Sequence, residues 1–284
     1  MNIETKHITE REFLAKEHAA NIKGTPIQEF YRDFNVFVTG ATGFMGKVLI
    51  EKLLRSCPNV GRIFILIRTK KGQLPEDRKE ELLKSVVSIN LIFDVLRASS
   101  PEFHKKLVVV TGDCSLPKLG LSKSDYEILI QQVNIIFHLA ATVRFDEKFN
   151  IAIPINIGGT KEIIDLCRAC VKLKSIVYTS TAYSNCHLKD IKECFYDPPF
   201  DIDEDINKYL CTADEATIEI LKPNHNCCLF AIANAAAWSL SRSTDLFSIT
   251  YLCKNDRLAI TLFKLQFTTL QGVQTEVPKC AFRH

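Results

Sequence analysis

Gly40, Gly43 and Gly46 fall in a G-x-x-G-x-x-G spacing within Thr39-Gly40-Ala41-Thr42-Gly43-Phe44-Met45-Gly46, directly after the apolar run Val36-Phe37-Val38-Thr39. That spacing suits a pyrophosphate. Gly40 permits a tight turn, and Gly43 lets backbone N–H groups approach the phosphates with no side chain between them. Gly46 lets the following helix pack closely, with its positive N-terminal end toward the negative charge. A glycine turn without a ligand shares the pattern, so the reading depends on a strand before the loop and a helix after it. Thr42, Phe44 and Met45 complete the loop's expected contacts with the cofactor.

A second apolar run, residues 62–67 (RIFILI), is followed by Arg68, with Lys70 and Lys71 just beyond. NAD sites place an acid there for the ribose hydroxyls, whereas cations would receive a 2′-phosphate, so the residues point to NADPH; solvated loop charges are the alternative. Asp113 follows a third run and suits either the adenine amino group or a cap on the turn at Gly112. His138-Leu139-Ala140-Ala141 would lie beneath the ribose and nicotinamide, where small residues let a ring rest on backbone; His138 itself is expected to be a buried, satisfied histidine. Asn156 is expected to open the following helix, as a cofactor contact or only as its N-cap.

These residues need a frame to hold them. Met45, Val48, Leu49 and Leu53 recur at helical spacing, and the pattern stops before Pro58. Residues 107–111 (LVVVT), 133–138 (VNIIFH) and 176–178 (IVY) are further strands, continuous in apolar character as strands covered on both faces are. Ser122 with Asp125 reads as a capping box, and Ile163, Ile164, Cys167 and Val171 form another helical stripe. Alternating strands and helices imply an α/β fold, a Rossmann-type doubly wound parallel sheet with helices on both faces. Residues 194–205, with Pro198, Pro199 and several acids, read as an irregular excursion on the substrate side.

Composition narrows the partners. A formal charge of +3 over 284 residues, with no basic stripe interleaved with aromatics, argues against nucleic acid and for a small molecule. Eleven cysteines without framework spacing, behind an N-terminus lacking a signal peptide's apolar core, predict a reducing, intracellular compartment. Cys167 and Cys170 form a C-x-x-C inside a helical pattern with no second pair, so they read as apolar thiols and no metal is expected. No run is long enough to span a bilayer; residues 227–240 are too short and are interrupted by Asn234.

The strings VFVTGATGFMGKVLIEKLLRSCPNVGRIFILIRTKKGQ, VVVTGDCSLPKLGLS, HLAATVRFDE, IPINIGGTKEI and YTSTAYSNC resemble the fatty acyl-CoA reductases, the male-sterility branch of the extended short-chain dehydrogenases/reductases, and most of all those of insects. The resemblance runs from Phe30 to Asn224. It implies an oxidoreductase of lipid biosynthesis that takes a long-chain fatty acyl-CoA through an aldehyde to a fatty alcohol with two NADPH. It also implies association with an endoplasmic reticulum or peroxisome membrane. In such enzymes a Ser or Thr hydroxyl and a Tyr hydroxyl hold the carbonyl oxygen, and a Lys four residues after that Tyr lowers its pKa. The motif Ser180-Thr181-Ala182-Tyr183 would supply the hydroxyl, Thr181 first and Ser180 second, while Tyr183 belongs to the motif and is not the acid.

The chain departs from that pattern after Pro223-Asn224, where the family continues with Tyr-x-x-x-Lys and this sequence has His225-Asn226-Cys227-Cys228. None of its lysines has a Tyr four residues before it; Tyr251 and Lys254 are one residue short. The organisation read from the sequence is a lead-in over 1–34, an incomplete NADPH-binding reductase domain over 35–224, and an atypical tail over 225–284. A chain truncated or aberrant after Asn224, from an alternative transcript, a retained intron or a faulty gene model, is the expectation. Two functions follow: a reductase by descent that lacks its acid, or a catalytically silent NADPH-binding isoform that associates with full-length reductases.

Overall fold

The computed structural model describes residues 24–70, 72–84, 86–87, 90–91, 93–144, 147–181, 247–252 and 260–263. Its main sheet is built from β1 (Val36–Thr39), β2 (Ile63–Ile67), β3 (Leu107–Thr111), β4 (Ile135–His138), β5 (Ser175–Thr181), β6 (Phe247–Leu252) and β7 (Ile260–Phe263). The spatial order is β3-β2-β1-β4-β5-β6-β7. Strands β1 to β6 run parallel and β7 returns antiparallel on β6. Between β1 and β4 the order reverses, and such a switch point opens a crevice at the carboxyl ends of the strands.

The helices are α1 (Pro26–Tyr31), α2 (Phe44–Ser56), α3 (Pro75–Leu83), α4 (Asp94–Ser99), α5 (Lys123–Gln132), α6 (Phe149–Ile153) and α7 (Gly159–Ala169). Every residue of β1, β2 and β4 is buried, which is why their sequences do not alternate. Successive residues feed opposite cores. Val36, Val38, Ile63, Ile65 and Ile135 pack with Ile50, Leu53 and Leu54 of α2, while Phe37, Phe64, Ile136 and Ile176 pack with Leu129 of α5 and Ile163 and Leu166 of α7. Each fully buried aliphatic or Phe side chain contributes roughly 1.5–3 kcal/mol. A one-residue slip of β1 would exchange the two cores, so its register is fixed.

The structure bears out the doubly wound sheet and moves some boundaries. Ser180 and Thr181 lie inside β5 rather than beyond it. Helix α7 ends at Ala169, so Val171 falls outside it, at 67% exposure, instead of on its apolar stripe. Ser122 does cap α5, accepting the Asp125 N–H at 3.0 Å. The reciprocal arm is missing because the Asp125 carboxylate accepts the Ser122 hydroxyl at 2.7 Å. Strand β6 comes from the segment beyond Asn224 and continues the sheet in register, Ile176 opposite Phe247 and Ser180 opposite Tyr251. Among the described residues no helix is long and apolar enough to cross a membrane.

Candidate functional site: a groove at the carboxyl ends of the strands

The three glycines have different reasons for being glycine. Gly40 ends β1 at φ +70°, and a Cβ there would stand 2.7 Å from the Leu139 carbonyl carbon beyond β4. Gly46 sits in the first turn of α2, where a Cβ would collide with the Gly40 carbonyl oxygen and the Ala41 backbone. Gly43 is different: a Cβ would meet only the Gly40 carbonyl oxygen, at 3.2 Å. Its bareness leaves the space before the loop open rather than completing a packing contact. Gly43 is also the N-cap of α2, and among the described residues no side chain caps it, an arrangement that can receive an anion. Phe44 and Met45, 63% and 38% exposed, flank that opening.

Beside the loop, the chain leaving β4 forms a shelf through Ala140 and Ala141, held from behind by a saturated network. Thr39 Oγ1 accepts the N–H groups of Leu139 and Ala140, both at 3.2 Å, and lies 2.7 Å from His138 Nδ1. With both amides donating to that oxygen, the Thr39 hydroxyl donates to Nδ1. His138 therefore carries its proton on Nε2, which lies 3.3 Å from Thr160 Oγ1, and the Thr160 hydroxyl donates to the Asn156 carbonyl at 2.7 Å. Burial pushes the His138 pKa down to about 4, so the ring stays neutral. At 1% exposure, stacked on Tyr178, it stands behind the groove and not in it.

Asn156 is not an N-cap. It lies in a π turn, Pro154–Gly158, that joins α6 to α7. Its Oδ1 accepts the Thr142 N–H at 2.9 Å and its Nδ2 donates to the Thr142 carbonyl at 3.2 Å. The π turn thus carries the side chain that holds the backbone at Thr142, just past Ala140 and Ala141.

At the other end of the groove, Arg68 follows β2 with its side chain 49% exposed, in a long contact of 3.4 Å with Asp113 Oδ2. A second guanidinium reaches the same corner. Arg78, on α3, donates to the Arg68 carbonyl at 2.5 Å and to Thr42 Oγ1, in the glycine loop, at 3.2 Å. Burial and the neighbouring Arg68 charge push the Arg78 pKa below its usual value. Lys70 instead closes a turn through its backbone with Gln73, and Lys71 lies outside the described residues. Reading the sequence missed Arg78, because it lies inside a helix remote from any motif.

Asp113 caps its own turn. Its Oδ1 accepts the N–H and the hydroxyl of Ser115, both at 2.9 Å. Burial raises its pKa, but these donors together with Arg68 outweigh it and hold the carboxyl below its ordinary value.

Thr39, His138 and Tyr178 are level across three strands, so Ser180 and Thr181 stand two and three residues further toward the groove, about 7 and 10 Å at the rise of a strand. Tyr183 and the excursion over 194–205 lie outside the described residues. Burial pushes the Cys170 thiol up to about 11 and Cys167 higher still, as apolar surroundings do.

A parallel sheet whose switch point carries a glycine turn and an uncapped helix N-terminus defines a Rossmann-type dinucleotide-binding domain. A family model described as Male sterility protein matches residues 38–227, and the chain belongs to that family. It is similar to "Fatty acyl-CoA reductase wat" of Drosophila melanogaster, 44% identical over 199 residues, covering 70% of this chain and 37% of that protein. It is similar also to "Fatty acyl-CoA reductase 1" of Homo sapiens, 45% identical over 175 residues, covering 62% of this chain and 33% of that protein. The matched segment is thus about a third of the length of those relatives. Among solved structures, the reductase domain of a non-ribosomal peptide synthetase from Mycobacterium tuberculosis aligns with TM-score 0.55 and 26% identity, covering 78% of this chain and 48% of that one. The terminal reductase domain of the myxalamid pathway shares the fold, with TM-score 0.52 and 22% identity over 78% of this chain and 49% of that one.

Proposed function

We propose that this chain binds NADPH and corresponds to the cofactor-binding part of a fatty acyl-CoA reductase, whose reaction takes a long-chain acyl-CoA through an aldehyde to an alcohol. The observation that carries the reading is the open corner between Gly43, Arg68 and Arg78. The uncapped N-terminus of α2 would take the pyrophosphate, with Gly40, Thr42, Gly43, Phe44, Met45 and Gly46 around it. Two guanidiniums that repel each other would be relieved by a 2′-phosphate dianion between them. Asp113 faces the adenine, with Lys70 at the outer edge. Ala140 and Ala141 leave room for the nicotinamide, whose part is to supply a hydride to the carbonyl carbon. Thr181, with Ser180 second, would donate to the carbonyl oxygen as negative charge develops there.

The same reading assigns this chain little turnover. Its sequence has no Tyr-x-x-x-Lys, the pair that supplies the family's acid of lowered pKa. That absence favours a second role, a catalytically silent NADPH-binding isoform that associates with full-length reductases in the cell. The test is titration of the chain with NADPH and NADH, followed by NADPH consumption in the presence of a long-chain acyl-CoA. Tight NADPH binding with near-background consumption is expected; no binding of either nucleotide overturns the reading.

A further inference from the structure

The start of α7 touches both ends of the groove. On the nicotinamide side Asn156 clamps the Thr142 backbone and Thr160 meets His138 Nε2. On the adenine side, two residues past Thr160, Glu162 Oε2 accepts the N–H of Lys118 at 2.7 Å. Gly159 lies between Asn156 and Glu162, and a Cβ on it would stand 3.0 Å from both the Cβ and the carbonyl oxygen of Cys114. Its bareness therefore lets the helix lie against the residue that follows Asp113.

Glu162 holds a turn that its own sequence disfavours. Lys118 and Leu119 are both left-handed, at φ 51° and 58°, a region that residues other than glycine enter at a cost. The Leu119 carbonyl accepts the Asp113 N–H at 2.8 Å, so this left-handed pair sets where the Asp113 backbone stands. A carboxylate accepting a backbone N–H makes a charge-assisted bond, stronger than a neutral one, and this one lands on the first of the two left-handed residues.

Resting on the NADPH reading above, we infer that Glu162 is a positioning residue for the adenine half of the cofactor. It acts through the Lys118–Leu119 turn, independently of the Asn156 arm that positions the nicotinamide half. One helix start thereby sets both ends of the dinucleotide groove, each through its own side chain.

The experiment uses the full chain and two ligands, 2′,5′-ADP, which fills only the adenine half, and NADPH, with binding measured by calorimetry and folding by thermal melting. Glu162→Ala should weaken 2′,5′-ADP and NADPH alike, by about tenfold, the order set by the strain of one left-handed residue. Glu162→Gln keeps an acceptor oxygen and should stay within about threefold of the natural chain. Asn156→Ala should weaken NADPH while leaving 2′,5′-ADP unchanged. Lys118→Gly accepts the left-handed conformation freely and should recover 2′,5′-ADP affinity when added to Glu162→Ala, including where the single variant melts early. Unchanged 2′,5′-ADP binding in Glu162→Ala, equal losses of both ligands in the Asn156 and Glu162 variants, or no recovery with Lys118→Gly would each overturn the inference. A natural chain that binds neither ligand overturns the NADPH reading itself, and this inference with it.

Discussion

Arg78 donates to Thr42 Oγ1 at 3.2 Å while its other terminal nitrogen donates to the Arg68 carbonyl at 2.5 Å, tying α3 both to the glycine loop and to the end of β2. A planar guanidinium fixed by two acceptors loses little further freedom on meeting a third. Arg68, by contrast, is half exposed and, among the described residues, its side chain is held by a long contact to Asp113. Among the described residues, one cation is fixed by two acceptors and the other by a single long contact.

Selectivity for NADPH over NADH should therefore divide between the two arginines. Hydrogen bonds to charged groups are worth about 1.5–3 kcal/mol, so Arg68→Asp and Arg78→Met should each narrow the ratio of NADPH to NADH affinity by roughly tenfold to hundredfold. NADH affinity itself should move much less. If neither substitution changes the ratio in titrations followed by NADPH fluorescence, selectivity resides elsewhere in the chain.

Gly43 and Gly46 should fail in opposite ways. Gly43→Val brings a Cβ to 3.2 Å from the Gly40 carbonyl oxygen, a contact that a shift of a few tenths of an ångström relieves, so the chain should melt closer to its natural temperature than Gly46→Val does and lose NADPH binding. Gly46→Val drives a side chain into the Gly40 and Ala41 backbone, where neither neighbour can yield, and should destabilise the fold by about 1–3 kcal/mol or more before any ligand is considered. Melting and NADPH titration of the two variants side by side check the assignment.

The sheet and the loop were legible because their causes are local. Residues 36–39 and 63–67 are apolar without alternation, as strands covered on both faces are. What escaped depends on neighbours remote in sequence. Arg78 reaches the glycine loop from a helix with no motif of its own. Asn156 reads as a helix cap until the π turn shows its side chain clamped on the Thr142 backbone. Strand β6 lies in a segment without family resemblance, and its place is set by pairing with β5.

His138 should make the fold sensitive to mild acid. Its pKa falls from an ordinary 6.5 in the unfolded chain to about 4 in the fold. Below pH 6.5 the unfolded state takes up the proton first, so the stability from burying the neutral ring is fully present above pH 6.5 and drains away as pH falls toward 4. The loss by pH 4 is on the order of 3 kcal/mol at about 1.4 kcal/mol for each pH unit between those values. His138→Gln, which cannot titrate, should show a flatter dependence of melting temperature on pH over that interval. Parallel profiles for the two proteins would remove His138 as the cause.

On the proposed reading turnover should be near background, because the sequence holds no Tyr-x-x-x-Lys to join the Thr181 hydroxyl at the developing oxyanion. General acid catalysis is typically worth a hundredfold to ten-thousandfold, and one oxyanion donor a hundredfold to a thousandfold, so losing the Tyr-x-x-x-Lys pair removes both contributions together. NADPH binding should survive, since the glycine loop, Arg68, Arg78 and the Ala140 shelf are all built from residues before Asn224. The decisive comparison is NADPH consumption with a long-chain acyl-CoA by the natural chain and by a chimera. In the chimera everything after Asn224 is replaced by the Tyr-x-x-x-Lys segment of a full-length reductase and the sequence that follows it. Activity should appear in the chimera and fall again by about a hundredfold or more when Thr181→Ala is added. If the natural chain turns over robustly, another group supplies the proton, and the residue to replace first is Tyr251, which stands opposite Ser180 in the β5–β6 pairing. Loss of that turnover in Tyr251→Phe would relocate the acid to the tail and refute the assignment of an incomplete site.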